Sequence, residues 1–454
     1  MSDRGETWSG RLGFILATIG SAVGIGSIWK FPYEVGSNGG SAFVLFYFAG
    51  LAFIVVPLMF AEFAIGRRGR GDPVTSIAAV AAAGGADRRW AWAGALGVAT
   101  GFLILSFYSV IGGWTIAYAV DTALRGLAGP DPQAVRARYE AFLGSPLQML
   151  GWHAAFMAAT ATIVARGIAR GIEAACKVLM PLLVALMLLL AVYSAIEGDL
   201  AAALRFLLKL DPQHLTPRAA LEALGLGFFS IGVGLGMMIT YGAYGGADID
   251  LKQVALVSVL ADTAISLLAG LAVFPIVFAH GLDPASGPGL VLVTLPLAFA
   301  RMPFGTLAAF AFFVLLFVAA LASAISMLEI VVSMLIRRLG WRRRWASLIA
   351  AATCFVAGIA TVLSFNLWAD WHPLAGVSGF ETATFFDLLD HLTSNMLLPI
   401  GGFALALFAG WAIPDRVLRE ELRLTPVGVR ALRVTLRYIA PIGIAVTTFG
   451  GMIP

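Results

Sequence analysis

The stretch Gly20-Ser21-Ala22-Val23-Gly24-Ile25-Gly26-Ser27 has a counterpart in Ser230-Ile231-Gly232-Val233-Gly234-Leu235-Gly236, and the reading of this pair decides the fold. Each cluster lies inside an apolar run long enough to cross a bilayer. Glycine there costs about 1 kcal/mol of helix propensity per residue. An opened turn at that depth leaves N–H and C=O groups with no water to bind, and such groups persist only by lining a cavity or holding a ligand. One cluster alone reads equally well as close helix packing of the small-xxx-small kind. Two clusters in mirrored positions of two halves point instead to a transporter binding site. Half-helix N-termini then face an anionic group and freed carbonyls face a cation, which suits a zwitterion accompanied by alkali ions. Neither cluster follows a strand, so a dinucleotide fingerprint is excluded.

The rest of the chain agrees with a membrane setting. Of its 454 residues 60% are apolar and 12% charged, against about 45–50% and about 25% in soluble domains, and the mean hydropathy is +0.90. The fold class is therefore an all-α polytopic membrane protein. Runs that meet the requirement of about 20 apolar residues fall at 11–35, 41–66, 90–123, 148–166, 172–197, 217–244, 252–281, 302–337, 345–366, 385–413 and 431–453, eleven in all. The first run has no small-residue cleavage site behind it and reads as a retained span. The stretch 282–300, with Pro284, Pro288 and Pro296, is too interrupted to span and reads as an outside re-entrant or surface helix.

Most of the 30 basic residues fall on one side if the N-terminus is cytoplasmic, including Arg67, Arg68, Arg70, Arg166, Arg170, Arg342, Arg343, Arg344 and Arg433. The positive-inside rule then places the N-terminus inside and the C-terminus outside. The two glycine clusters are five spans apart and run in opposite directions, as inverted repeats require. The expected organisation is a cytoplasmic segment 1–10, a first repeat 11–197 (helices 1–5), a second repeat 217–413 (helices 6–10) and an eleventh helix at 431–454.

Several function classes drop out. The net charge of +4 arises from short clusters between apolar runs, a matter of membrane orientation and not of nucleic acid. Cys176 and Cys354 alone form neither a disulfide framework nor a metal site. His153, His214, His280, His372 and His391 are scattered over span ends and loops, and no nucleophile, base and acid assemble into an enzyme.

Trp8, Arg11-Leu12-Gly13-Phe14-Ile15-Leu16-Ala17, Ala22-Val23-Gly24, Trp29-Lys30-Phe31-Pro32-Tyr33 and Asn38-Gly39-Gly40 together resemble the opening signature of the neurotransmitter:sodium symporters. The resemblance runs on through Glu62 and Gly66, Tyr108 with Trp114, Phe228-Phe229-Ser230, Ala269-Gly270 and Leu321-Ala322-Ser323-Ala324-Ile325-Ser326. It implies a secondary transporter with helices 1 and 6 unwound, importing an apolar or aromatic L-amino acid with sodium by alternating access. The implied location is the bacterial inner membrane, which the chain crosses many times. The implied partners are a small amino acid, one or two sodium ions and the lipid bilayer, with no organic cofactor. Oligomeric state is not legible.

Matching positions carry the family's roles across as expectations. Tyr108 donates to the substrate carboxylate beside Ile25 and Gly26, while carbonyls of Ala22, Phe229 and Ser230 meet the amino group. Ile104, Tyr108, Phe229, Gly232, Leu235, Ser323 and Met327 wall the side-chain subsite, and Gly232, lacking a side chain, is expected to give it extra depth. Asp262, a carboxylate in an apolar span and hence in need of a partner or function, is expected at the first sodium site with Ala22, Ser27 and Ser230. The second site draws on Gly20, Val23, Ala319 and Ser323. Glu62 is expected to accept backbone donors freed by the unwound helices.

Some positions depart from the family pattern. Ser27 stands for the usual asparagine, Ala322 for a hydroxyl ligand, Ser266 where some bacterial relatives carry a glutamate, and Arg337 for the aspartate of the inner gate. Lys30 takes the place of the outer-gate arginine opposite Asp390, and the inner gate is expected from Arg4, Trp8 and Tyr244. The resemblance implies chloride-independent coupling, with Asp262 carrying the charge. Three alternatives stay open: proton coupling at Asp262, sodium-independent transport, and a non-transporting amino-acid sensor on the same fold.

Overall fold

The computed structural model describes residues 6–283 and 290–450, and among them every regular element is helical. Eight helices are long and apolar enough to cross a membrane: α2 (Ser41–Gly69), α3 (Arg88–Arg125), α4 (Pro146–Ala165), α5 (Ile168–Glu197), α7 (Leu251–Ala279), α8 (Gly305–Leu339), α9 (Arg343–Ser364) and α10 (Phe385–Ala412). A ninth, α1, is a bent pair, Arg11–Ala22 and Gly26–Ser37, with 52° between its halves. The expected sixth run is also split, so that α6 consists of Pro217–Ile231 and Met237–Ala243. The eleventh, α11, is Pro426–Val434 continued by Thr435–Ile439 and Ala440–Gly450.

Capping signals explain where these helices begin. The Asp250 carboxylate accepts from the N–H groups of Lys252 and Gln253 at the start of α7. The Thr216 hydroxyl accepts from Ala219 N–H ahead of Pro217 at the start of α6. Side-chain oxygens in this position satisfy N–H groups that have no intrahelical partner. Arg67 and Arg68 close α2, and Arg337 and Arg338 close α8, where a cation complements the helix dipole.

Four segments between the expected spans contain helices: Pro73–Ala83, Pro132–Leu143, Leu200–Leu208 and Asp415–Leu422. The first two open on Asp-Pro, an N-cap followed by the residue best suited to the first helical position. Within the expected 282–300 stretch, Leu290–Phe299 is a short apolar helix with nearly all its side chains buried, so it is not a surface helix. Pro284 and Pro288 lie outside the described residues.

The break in α6 is built from three glycines in left-handed backbone: Gly232 at φ 70°, Gly234 at φ 93° and Gly236 at φ 80°. L-residues pay roughly 1–2 kcal/mol to enter that region, and glycine enters freely. The break in α1 is shorter, with extended backbone at Val23 (φ −81°, ψ 110°). The α1 break lies against α3 and α8, where a Cβ on Gly24 would meet Tyr108 and Ser323, and the α6 break lies against α2 and α10, where Gly234 meets Glu62 and Gly402. α2 approaches the second half of α6 so closely that a Cβ on Gly66 would lie 2.0 Å from the carbonyl oxygen of Ile239. No side chain fits there without moving backbone. Gly66→Ala should cost about 1–3 kcal/mol as overpacking, seen as a lower melting temperature of the detergent-solubilised protein, whereas Gly151→Ala, which meets nothing within 4 Å, should leave it unchanged.

Candidate functional site

The two breaks face one another across a cavity in the middle of the protein. Ile25, Gly26, Ile104, Tyr108, Phe229, Ser230, Gly232, Leu235, Ser323 and Met327 all line it, together with Ser21, Gly24, Met237 and Leu398. Of the residues expected around the substrate only Ala22 is not in this lining. It is the last residue of the first half of α1 and is fully buried. The Ile25 N–H, released by the break, donates to the Tyr108 hydroxyl at 3.3 Å. A Cβ on Gly24 would lie 2.5 Å from Ser323 Oγ and 3.0 Å from Tyr108 Oη, so α1 enters between these two hydroxyls only because it carries no side chain there.

Extra depth beside Gly232 is not found. A Cβ on that residue would lie 2.1 Å from Met237 Cε, and the cavity volume is only about 30 Å³. The sequence reading stopped at Leu235 and missed the residue that turns back over the glycine.

Below the cavity, Asp262 on α7 is fully buried and gathers hydroxyls. Ser27 Oγ donates to Oδ1 at 2.5 Å, Tyr47 Oη to Oδ2 at 3.0 Å, and Ser230 Oγ lies 3.1 and 3.2 Å from the two oxygens. Ser27 and Ser230 are themselves 2.9 Å apart. The cluster thus joins α1, α2, α6 and α7. A hydroxyl carries acceptor lone pairs as well as its proton, so Ser27 and Ser230 can turn oxygen toward a cation held by the carboxylate. Tyr47 was not anticipated, although a phenol within a continuous apolar run is a usable signal of a polar partner.

A second group of oxygens lies between α1 and α8. Ser323 Oγ is 3.4 Å from the Gly20 carbonyl oxygen and 3.2 Å from that of Val23. Ala319 is buried one turn earlier on α8. Ala322 offers only a methyl group, 3.3 Å from where a Cβ on Gly20 would be. Glu62 on α2 is fully buried, and its Oε1 accepts the Gly234 N–H at 2.6 Å, a donor freed by the break in α6.

The two ends of the cavity differ. Toward one face, an open vestibule of about 440 Å³ is lined by Lys30, Tyr33, Glu34, Phe229 and His391 among others. Lys30 Nζ lies 4.9 Å from the Phe229 ring centroid, a cation–π contact. Lys30 and Asp390 form no ion pair, and Asp390 Oδ1 accepts from Ser394 instead. A lysine reaches as a point charge without the planar fork of arginine, and here it rests on the aromatic ring.

The opposite end is shut by Trp8. Its ring stacks on Phe14 at 5.4 Å and meets Tyr241 edge-on at 5.0 Å, and its Nε1–H donates to the Tyr241 carbonyl at 3.0 Å. Arg4 lies outside the described residues. Arg337 donates to the carbonyl of Arg70. Tyr244 is at this end as expected, but the ion pair beside it was not anticipated: Glu329 on α8 is fully buried, pairs with Arg343 at 2.6 Å and accepts from the Tyr244 hydroxyl at 2.7 Å. Arg343 also pairs with Glu6 of the N-terminal segment at 2.5 Å. Glu329 is the one acid in the α8 sequence, the same signal that singled out Asp262. Nearby, the fully buried Glu173 accepts the Ser9 N–H at 2.8 Å and pairs with Lys177 at 2.7 Å, which fixes the entry to α1.

The chain is similar to known proteins along most of its length. The model of the sodium:neurotransmitter symporter family matches residues 5–129 and 145–368. The chain is 37% identical over 443 residues to the sodium-dependent transporter YhdH of Bacillus subtilis (strain 168), covering 97% of this chain and 96% of the relative. It is 31% identical over 422 residues to a sodium-dependent transporter of Haemophilus influenzae, covering 91% of each. Among solved structures, MhsT in complex with L-phenylalanine superposes with a TM-score of 0.89 at 40% identity, covering 98% of this chain and 99% of MhsT.

The pair of Glu329 and Arg343 makes a prediction. Arg343→Ala leaves Glu329 buried without its cation, a change that costs about 3–5 kcal/mol in fully buried pairs, and should favour opening at the Trp8 end. Cys176 is 1% exposed beside Gly20. Its alkylation by a maleimide, read by peptide mass spectrometry to separate it from Cys354, should be faster in Arg343→Ala than in the parent protein.

Proposed function

The chain belongs to the sodium:neurotransmitter symporter family, and from that premise we propose that it imports an apolar or aromatic L-amino acid across the inner membrane of a bacterium, coupled to sodium. The observation that carries this reading is that Ser230, which lines the cavity between the two broken helices, is hydrogen-bonded on its far side to Ser27 and Asp262. A cation there neutralises the buried carboxylate and faces the carboxylate of a bound amino acid, so each ligand lowers the desolvation cost of the other.

Tyr108 and the freed N–H groups of α1 supply donors for the substrate carboxylate. The carbonyls of Ala22, Phe229 and Ser230 supply acceptors for its amino group. The remaining lining is apolar or small and holds no charge to pair with an acidic or basic side chain. A second sodium rests on Gly20, Val23, Ala319 and Ser323. In alternating access the two repeats, 11–197 and 217–413, rock about this shared site, with Phe229 and Lys30 on the outer side and Trp8, Tyr244, Glu329 and Arg343 on the cytoplasmic side. MhsT was crystallised with L-phenylalanine, which supports an aromatic amino acid as a substrate here.

A second reading gives Asp262 a proton to carry and leaves one tight sodium, and the methyl group of Ala322 favours it. A scintillation binding screen of the twenty amino acids in sodium, potassium and acidic buffer separates the two. The symport reading expects an apolar or aromatic amino acid bound in sodium and not in potassium. Equal binding in potassium, with an affinity that follows pH, favours the proton.

Two variants probe the site directly. Tyr108→Phe keeps the ring and removes the hydroxyl, and should weaken amino-acid binding by about 1.5–3 kcal/mol, the scale of a hydrogen bond to a charged group. Ala322→Thr restores an oxygen beside Ser323 and should lower the sodium concentration for half-maximal binding, at every pH where the parent binds.

A further inference from the structure

The central cavity is too small for its own ligand. A volume of about 30 Å³ holds about two waters, so any amino-acid side chain enters only if part of the lining moves aside. Half of the fourteen lining residues are fixed. Gly24, Gly26 and Gly232 have no side chain to move. Ile25 and Ile104 are β-branched and stiff at χ1. Tyr108 is held by the Ile25 N–H, and Ser230 by Ser27 and Asp262.

Of the two unbranched thioethers in the lining, Met237 and Met327, Met237 is the one that covers the bare wall at Gly232. It opens the second half of α6, just after Gly236, yet its side chain reaches back across the break until Cε stands 2.1 Å from the position of a Cβ on Gly232. It is 3% exposed, and one weak contact tethers it, from Ser21 Oγ to the sulfur at 3.5 Å. Gly232 at φ 70° excludes a fixed side chain from that wall, and a methionine covers the gap. An unbranched thioether with three rotatable bonds is the side chain best able to vacate such a space and refill it, and its sulfur makes favourable contacts with aromatic ring edges.

We propose that Met237 is a specificity-determining residue of the substrate site. Its thioether occupies the subsite wall left bare by Gly232. When an amino acid binds, the side chain swings off Gly232 and lies along the edge of the incoming group. The accepted width is then set by the freedom of one methionine, and a wide aromatic side chain is admitted at the cost of displacing it. This inference rests on the amino-acid reading of the site given above.

The test uses the purified full-length protein and three probes, L-tryptophan, L-phenylalanine and L-leucine, in sodium. Radiolabelled L-phenylalanine is displaced by the other two, and the ratio of tryptophan to leucine affinity is compared among variants. Met237→Ala removes the plug, so the ratio should rise about tenfold because only the wide side chain had to displace it. Met237→Ile keeps an apolar group of similar size but makes it stiff, so the ratio should fall by a similar factor. The opposite directions matter, since general damage to the site weakens all three probes together. If both variants bind and the ratio stays within twofold of the parent, Met237 does not set specificity. If the parent binds none of the three in sodium, the amino-acid reading itself falls, and this inference with it.

Discussion

Everything in this protein follows from two stretches of backbone that are opened where no water reaches. Each opened turn presents N–H and C=O groups whose desolvation has to be met by something fixed, because lipid offers no partners. The structure meets it with a small set of buried side chains, each from a different helix. Glu62 accepts from Gly234, the Tyr108 hydroxyl accepts from Ile25, and Ser323 donates toward the carbonyls of Gly20 and Val23. The groups left over point into the cavity. The requirement that holds α1 and α6 open is therefore also what leaves donors and acceptors free for a ligand.

Buried charge follows the same economy. Asp262, Glu62, Glu173 and Glu329 are all fully buried, and each has partners that say what it does. Glu62 and Glu173 are bound to backbone N–H groups and hold parts of the chain in place. Asp262 is bound to three hydroxyls and no cation side chain, which leaves its charge available to an ion. Glu329 is neutralised by Arg343, which reaches on to Glu6 of the N-terminal segment. An arginine at 337 removes the acid expected near the end of α8. The structure supplies one two turns earlier, inside the helix, and takes its cation from the start of α9.

Much of this was legible in the sequence, and the limits have physical causes. The glycine clusters announce themselves because nothing but an opened helix explains them twice in apolar runs. Asp262 stands out because an acid in hydrocarbon needs a reason. Glu329 carries the same signal as the one acid of α8, and its partner Arg343, on the next helix, leaves no such mark. Met237 left no mark at all, since a methionine in an apolar span reads as core, and only the backbone turn at Gly236 sends it back over Gly232. Lys30 was readable as a gate residue by type, yet its contact with Phe229 in place of Asp390 depends on the side-chain path. The helices at 73–83 and 132–143 are marked by Asp-Pro, but neither carries an apolar run of bilayer length.

We propose that one cavity between the opened helices binds amino acid and sodium together, so that neither moves without the other. The most direct measurement is uptake of L-phenylalanine into proteoliposomes holding the purified protein, with sodium outside and potassium inside, against the same vesicles with sodium on both sides. The account predicts transient accumulation above the external concentration in the first case and simple equilibration in the second. Accumulation that is equal with and without the sodium gradient, or that follows an imposed pH gradient instead, would contradict it.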